Sequence, residues 1–331
     1  MIRPPALRVG DLVGIVSPAS PIASFVPRRF ARGIAALERR GFRVRVGDHA
    51  LERDRHTAGT IEQRLADLHA MFADPEVRAI VCTIGGFNSH QLLEELDFDL
   101  IAANPKLFVG YSDITALHAG IWAQTGVSTV LGPMLLPQWA EFGGMHEYTW
   151  RHLERTLMRG EPGELPAASE WTAERTRWDE EDDQPRVMQP NPGPRAIRPG
   201  VGEGPVVAGN MSTIVLLAGT PWLPDLEGAL LCLEEDDAAG PQHVDRYLTQ
   251  LRQMGALARA AGLAIGRFMP GSKLDDETLD AIVLRATRGL ELPVAAGFDF
   301  GHTDPIACLP WGVRARLDGE RLELLEPAVD R

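Results

Sequence analysis

The stretch Leu107-Phe108-Val109-Gly110-Tyr111-Ser112-Asp113-Ile114 passes from an unbroken apolar run through a glycine into a serine and an acid, and its reading decides the fold. Residues 107–110 predict a strand buried on both faces and residues 113–124 a helix, so Ser112 stands at a tight strand-to-helix turn. The same alternation repeats toward the N-terminus. Residues 12–17 read as a buried strand, Pro27 opens a helix to about residue 40 with Phe30, Ile34 and Leu37 on one face, and residues 42–46 form the next strand. Thr60 and Gln63 make a capping box for a helix carrying Leu65, Leu68 and Phe72; residues 79–84 are a third strand, and a helix is expected over 89–96. Repeated βα units predict an α/β fold with a parallel sheet, whose ligands lie beyond the carboxyl ends of the strands.

Toward the C-terminus the composition changes. Residues 161–200 hold seven of the 25 prolines together with Trp171 and Trp178, which predicts a linker or substrate loop without elements of its own. Two tryptophans in a polar, acidic loop either pack on a domain or await a ligand. Beyond residue 200, strands are expected at 206–208, 229–233 and 294–298, with a helix over 243–254. The expected organisation is therefore a flavodoxin- or Rossmann-like nucleophile domain at 1–160, the proline-rich segment 161–200, and a second mixed α/β domain at 201–331.

The balance of charge narrows the function. With 33 Lys+Arg against 46 Asp+Glu, the 331-residue chain carries a formal charge of −13, which repels phosphate backbones and anionic membranes, so neither nucleic acid nor a membrane is an expected partner. Cys82, Cys232 and Cys308 are odd in number and widely spaced, as for buried thiols in a reducing compartment; with no leader-like N-terminus, the expected localisation is cytoplasmic. No G-x-G-x-x-G opens a helix, which removes the dinucleotide fingerprint and leaves no cofactor called for.

Four segments carry chemistry. Ser112 has the setting of a nucleophile elbow, although Ile114 replaces the second glycine of that motif and the same residues also read as a plain helix cap. Gly85-Gly86, just past a strand, can aim backbone N–H groups into an oxyanion hole or simply turn the chain. Glu234-Glu235-Asp236-Asp237 closes an apolar run: a carboxylate there can orient a histidine, sit in a solvated turn, or help to hold a hard metal ion. Finally, Gly301-His302-Thr303 offers a histidine in a rigid loop, suited to a general base.

Ser112, Glu234 and His302 follow one another in the order nucleophile, acid, base, each at a strand end. Together with Gly85-Gly86, Gly209-Asn210 and Thr213, Asp245-Arg246 and Leu251, these segments resemble the LD-carboxypeptidase family of serine peptidases over about residues 4–317. The stretch Ile84-Gly85-Gly86-Phe87-Asn88-Ser89 and the loop of Trp171 and Trp178 are similar to its microcin C immunity branch. The resemblance implies a triad of Ser112, Glu234 and His302, an oxyanion hole of the Gly86 and Asp113 N–H groups, and substrate contacts from Gly85, Phe87, Asn210, Trp171 and Trp178. It also implies a small peptide or peptidyl aminoacyl-nucleotide as substrate, a muropeptide being the alternative, and homodimers, with no metal. Glu235 stands where the family usually has aspartate. Two readings of another class are a metal-dependent hydrolase built on residues 234–237 and a catalytically silent binding protein using the same cleft.

Overall fold

The computed structural model describes residues 1–330. Through the first 131 residues β1 (Leu12–Val16), α1 (Pro27–Arg39), β2 (Arg43–Val46), α2 (Ile61–Ala73), β3 (Val77–Cys82), α3 (Phe98–Ala103), β4 (Leu107–Gly110), α4 (Thr115–Thr125) and β5 (Val130–Leu131) alternate. The apolar runs of β1 and β4 are buried at every position, because helices cover both faces of the sheet. By contrast, the Arg-Val-Arg-Val of β2 alternates in exposure, as suits an edge strand. The Thr60–Gln63 capping box forms as read.

After α5 (Glu147–Leu153), the chain adds β6 (Gly163–Glu164), β7 (Glu170–Trp171), β8 (Gln189–Pro190), β9 (Arg195–Arg198), β10 (Val201–Asn210), α6 (Met211–Leu216), β11 (Leu230–Glu234), α7 (Pro241–Gln253), α8 (Ala256–Arg259), β12 (Gly262–Gly266), α9 (Asp276–Ala286), β13 (Val294–Phe298), β14 (Leu309–Pro310), β15 (Arg314–Asp318) and β16 (Arg321–Leu324). The first sheet has the order β14-β5-β4-β3-β1-β2, with β1 to β5 parallel and β14 antiparallel on β5. In the second, ordered β6-β16-β15-β10-β11-β12-β13-β9, a parallel centre of β10 to β13 is flanked by antiparallel strands. The fold is therefore α/β, a parallel-sheet N-terminal part joined to a second, mixed one.

Two expectations need correction. The helix expected over 89–96 is a single turn at Ser89–Leu92, because the Ser89 N–H and hydroxyl bind Asp113 at 2.8 and 2.6 Å, and Asp97 then caps a new helix at Leu100 N. Residues 161–200 are not free of elements: β6 and β9 are edge strands of the second sheet, and β7 pairs with β8. Proline is tolerated at such edges, where no ladder bond is lost. The segment is also bolted down. Asp179 accepts the Arg28 and Arg29 N–H groups at 2.8 and 2.7 Å, capping α1, whose own N-cap residue Val26 offers no side-chain oxygen. All three cysteines are buried.

Candidate active site

At the carboxyl end of β4, Ser112 has φ +64°, in the left-handed region that side chains other than glycine rarely adopt. Holding a serine there costs of order 1–3 kcal/mol and throws its Oγ clear of the strand end. The neighbouring loop must make room. A Cβ on Gly85 would fall 2.8 Å from Ser112 Cβ, 2.9 Å from its Oγ and 3.3 Å from the Asp113 nitrogen, so only glycine fits against the elbow. Asp113 follows in the first turn of the helix, where backbone N–H groups lack intrahelical partners. Its carboxylate faces away, accepting from Ser89 N, and burial pushes its pKa up.

The partners of Ser112 come from the second sheet. Strand β11 delivers Glu234, which is 0% exposed and in register with Asn210 of β10. Its Oε2 lies 2.5 Å from His302 Nδ1, and His302 Nε2 lies 3.1 Å from Ser112 Oγ. Because a carboxylate only accepts, Nδ1 carries the proton and the Nε2 lone pair faces the serine hydroxyl. Gly301, at φ +102°, lets the loop pass so close that a Cβ there would sit 2.6 Å from Glu234 Oε2. Burial lowers the pKa of His302, but the charge and hydrogen bond of Glu234, with Asp236 and Glu235 beyond, outweigh it and hold the imidazole above its ordinary value.

Glu235 has a different task. Its oxygens accept from Asn210 Nδ2 at 2.7 Å, Ser212 N at 2.9 Å and Asp236 N at 3.1 Å, and burial, then the charge of Glu234, raises its pKa. Asp237 instead pairs with Arg175. The acidic run thus disperses, and among the described residues no three His, Cys, Asp or Glu side chains converge on a metal position.

The remaining sequence-derived residues divide. Gly85 borders the serine, Gly86 follows it against Ser20 and Ala19 of the loop leaving β1, and Phe87, next in the chain, is 80% exposed. Asn210 is buried as the N-cap of α6, its oxygen accepting from Thr213 N at 3.2 Å and its amide committed to Glu235. Trp178 lies under the Arg29 guanidinium at 4.4 Å and Trp171 under that of Arg267 at 4.8 Å. Thr172, beside Trp171, pairs with Asp304 through two backbone hydrogen bonds of 2.7 and 2.9 Å, so this loop borders that of His302.

A further group escaped the sequence reading. The Tyr111 ring meets that of His302 edge-on at 5.2 Å; Gln138 donates to Tyr111 Oη and to Asp304 Oδ1, each at 3.1 Å; and Arg186 bridges Asp304 Oδ2 and Glu141. The one local signal was Asp304 next to the Gly-His-Thr segment.

A hydroxyl, an imidazole and a buried carboxylate in line across an α/β frame form the arrangement used by serine peptidases. The chain belongs to the LD-carboxypeptidase family and is a serine peptidase: the LD-carboxypeptidase N-terminal domain matches residues 13–132 and the LD-carboxypeptidase C-terminal domain residues 203–317. YocD of Bacillus subtilis, a carboxypeptidase by name, is 36% identical over 312 residues, 94% of each chain. The microcin C7 self-immunity protein MccF of Escherichia coli is 32% identical over 321 residues, 94% of this chain and 92% of MccF. Among solved structures, an MccF-like protein of Bacillus anthracis superposes with a TM-score of 0.93 at 33% identity, covering 98% of this chain and 100% of that one. MccF itself matches at 0.92 and 30% over all of both chains, and has been solved with aspartyl sulfamoyl adenosine.

Proposed function

We propose that the chain is a serine carboxypeptidase that hydrolyses an amide bond with Ser112 as nucleophile, His302 as general base and acid, and Glu234 as the group that orients His302. Attack by Ser112 Oγ on the carbonyl carbon passes the hydroxyl proton to His302 Nε2, and the N–H groups of Gly86 and Asp113 stabilise the developing oxyanion. His302 then protonates the leaving amine as the C–N bond breaks. Water, deprotonated by the same nitrogen, attacks the acyl-serine and releases the acid, restoring Ser112. Glu234 holds the imidazole in the required tautomer and stabilises its cation. The observation that carries the reading is the unbroken line from Ser112 Oγ through His302 to a fully buried Glu234, with the serine held at positive φ.

The proposed substrate is a peptidyl aminoacyl-nucleotide or related LD-peptide. Similarity to MccF, solved with an aminoacyl sulfamoyl nucleoside, supports the first, and the open ring of Phe87 beside Gly86 is an apolar surface for it. A muropeptide is the second reading, supported by a murein tetrapeptide carboxypeptidase of Pseudomonas aeruginosa, 28% identical over 94% of both chains. Division of labour between a nucleophile domain at 1–160 and an acid-base domain at 201–331, joined by the 161–200 segment, belongs to the proposal, as do a homodimer and a cytoplasmic location. Among the described residues no helix is long and apolar enough to cross a membrane. A panel of a peptidyl aminoacyl-nucleotide, an L,D-linked muropeptide and an ordinary L-peptide tests the assignment. Cleavage of the first supports it, cleavage of the muropeptide alone moves the protein to murein turnover, and inertness toward all three refutes it.

A further inference from the structure

Arg64 sits one turn inside α2 and is only 3% exposed, yet none of its hydrogen bonds goes to a carboxylate. Its guanidinium donates to Pro18 O at 3.0 Å, Asn88 O at 3.3 Å, Gln91 Oε1 at 2.9 Å and Thr60 O at 3.3 Å. Burying a cation is costly, and here the gain is geometric: one planar fork joins three stretches of chain. Two of them meet at the candidate oxyanion hole. Pro18 belongs to the loop leaving β1 and Asn88 to the loop leaving β3; Ser20 N bonds Gly85 O at 3.2 Å, and a Cβ on Gly86 would lie 2.8 Å from Ser20 N.

The other side of the same segment is held by the elbow. Ser89, the residue after Asn88, donates two hydrogen bonds to Asp113, whose own N–H is the second proposed oxyanion donor. The chain carrying Gly86 is thus tied at Asn88 to Arg64 and at Ser89 to Asp113. We infer that Arg64 is a positioning residue of the oxyanion hole, fixing the spacing between the Gly86 and Asp113 N–H groups without touching substrate. The inference rests on the peptidase reading above. An ammonium cannot replace the fork, since a single point of charge does not reach both carbonyls and Gln91 in one plane.

The test compares the parent protein with Arg64→Ala, Arg64→Lys and Gln91→Ala by kcat, KM, melting temperature and rate of labelling by a serine-directed phosphonate, whose phosphoryl oxygen must enter the same hole. A donor displaced by about 1 Å costs roughly a hundredfold, so Arg64→Ala should lower kcat and labelling rate together by about that factor while KM stays within about threefold. Added guanidinium ion should restore part of the loss in Arg64→Ala, and Arg64→Lys should stay well below the parent. A merely structural arginine would lower the melting temperature without this kcat-specific, guanidinium-reversible defect. Near-parental kcat in folded Arg64→Ala or Arg64→Lys overturns the inference, as does a loss that guanidinium leaves untouched. If Arg64→Ala does not fold, Gln91→Ala decides, with a several-fold fall in kcat expected and an unchanged kcat contradicting it. Failure of the peptidase reading looks different: the parent itself would resist labelling and Ser112→Ala would retain full activity.

Discussion

Replacing Glu234 by glutamine keeps the side chain's shape and removes its charge, at a position where both consequences can be worked out. Glu234 is fully buried and its Oε2 lies 2.5 Å from His302 Nδ1. An amide turned to donate toward Nδ1 forces the imidazole proton onto Nε2, where it faces Ser112 Oγ and blocks deprotonation of the hydroxyl. The loss of tautomer control and of a charge beside the imidazolium should lower kcat by about 10⁴-fold, or about 5.5 kcal/mol of barrier. The pH profile supplies a second signature. Pairing with Glu234 holds His302 above its ordinary value against the lowering effect of burial, so the parent's activity rises with pH through a value above about 6.5. Without the charge, burial dominates and the limb moves to lower pH. Linkage gives a control in the same variant. A folded pKa raised above the unfolded one contributes stability that is full below about 6.5 and is lost as pH rises through the folded value, so Glu234→Gln should depress the melting temperature more at acid than at alkaline pH. Steady-state kinetics from acid to alkaline pH, with thermal melts at the extremes, make the assay. A loss under tenfold, or a limb that stays put or moves upward, refutes the assignment of Glu234.

Four further outcomes follow from the same geometry. Gly85→Ala puts a methyl 2.8 Å from Ser112 Cβ and should lower kcat by about a hundredfold, since the elbow or the Gly86 loop must shift by several tenths of an ångström; kinetics of the purified variant check it. Dialysis against a chelator should leave kcat unchanged, because the acids at 234–237 bind other partners; loss of activity that a divalent ion reverses would transfer the chemistry to that run. Trp178, packed on the core and under buried Arg29, should when changed to alanine lower stability by about 1–2 kcal/mol and affect all substrates alike. Trp171 borders the His302 loop through Thr172, so Trp171→Ala should weaken hydrolysis of the nucleotide substrate about five- to hundredfold more than that of a small L,D-peptide, as kcat/KM on the two substrates will show.

How far the sequence could be read depended on how local the cause was. Strands β1 and β4 are unbroken apolar runs because they are covered on both faces, and the Thr60 capping box is closed within four residues, so both were legible. The choice of Glu234 over Glu235 came from the family resemblance and not from the local pattern. Adjacent residues at a strand end point to opposite faces, and only the register of β11 on β10 turns Glu234 to His302 and Glu235 to Asn210. The same limit hid the role of residues 161–200. Prolines announced a loop, but its use as edge strands and as a cap for α1 depends on partners far away in the chain, with β9 on β13, Asp179 on Arg28 and Asp182 on Arg29 and Arg32. The turn at Ser89 looks like a helix in sequence for a related reason, since its polar groups are claimed by Asp113 across the sheet end.

The most direct measurement is to locate the adduct left by a serine-directed phosphonate by peptide mass spectrometry, in the parent protein and in His302→Ala. A single modified residue, Ser112, is expected, with the adduct forming at a rate that falls by several powers of ten without His302. An adduct on any other serine, or labelling of Ser112 at an unchanged rate in His302→Ala, would contradict it.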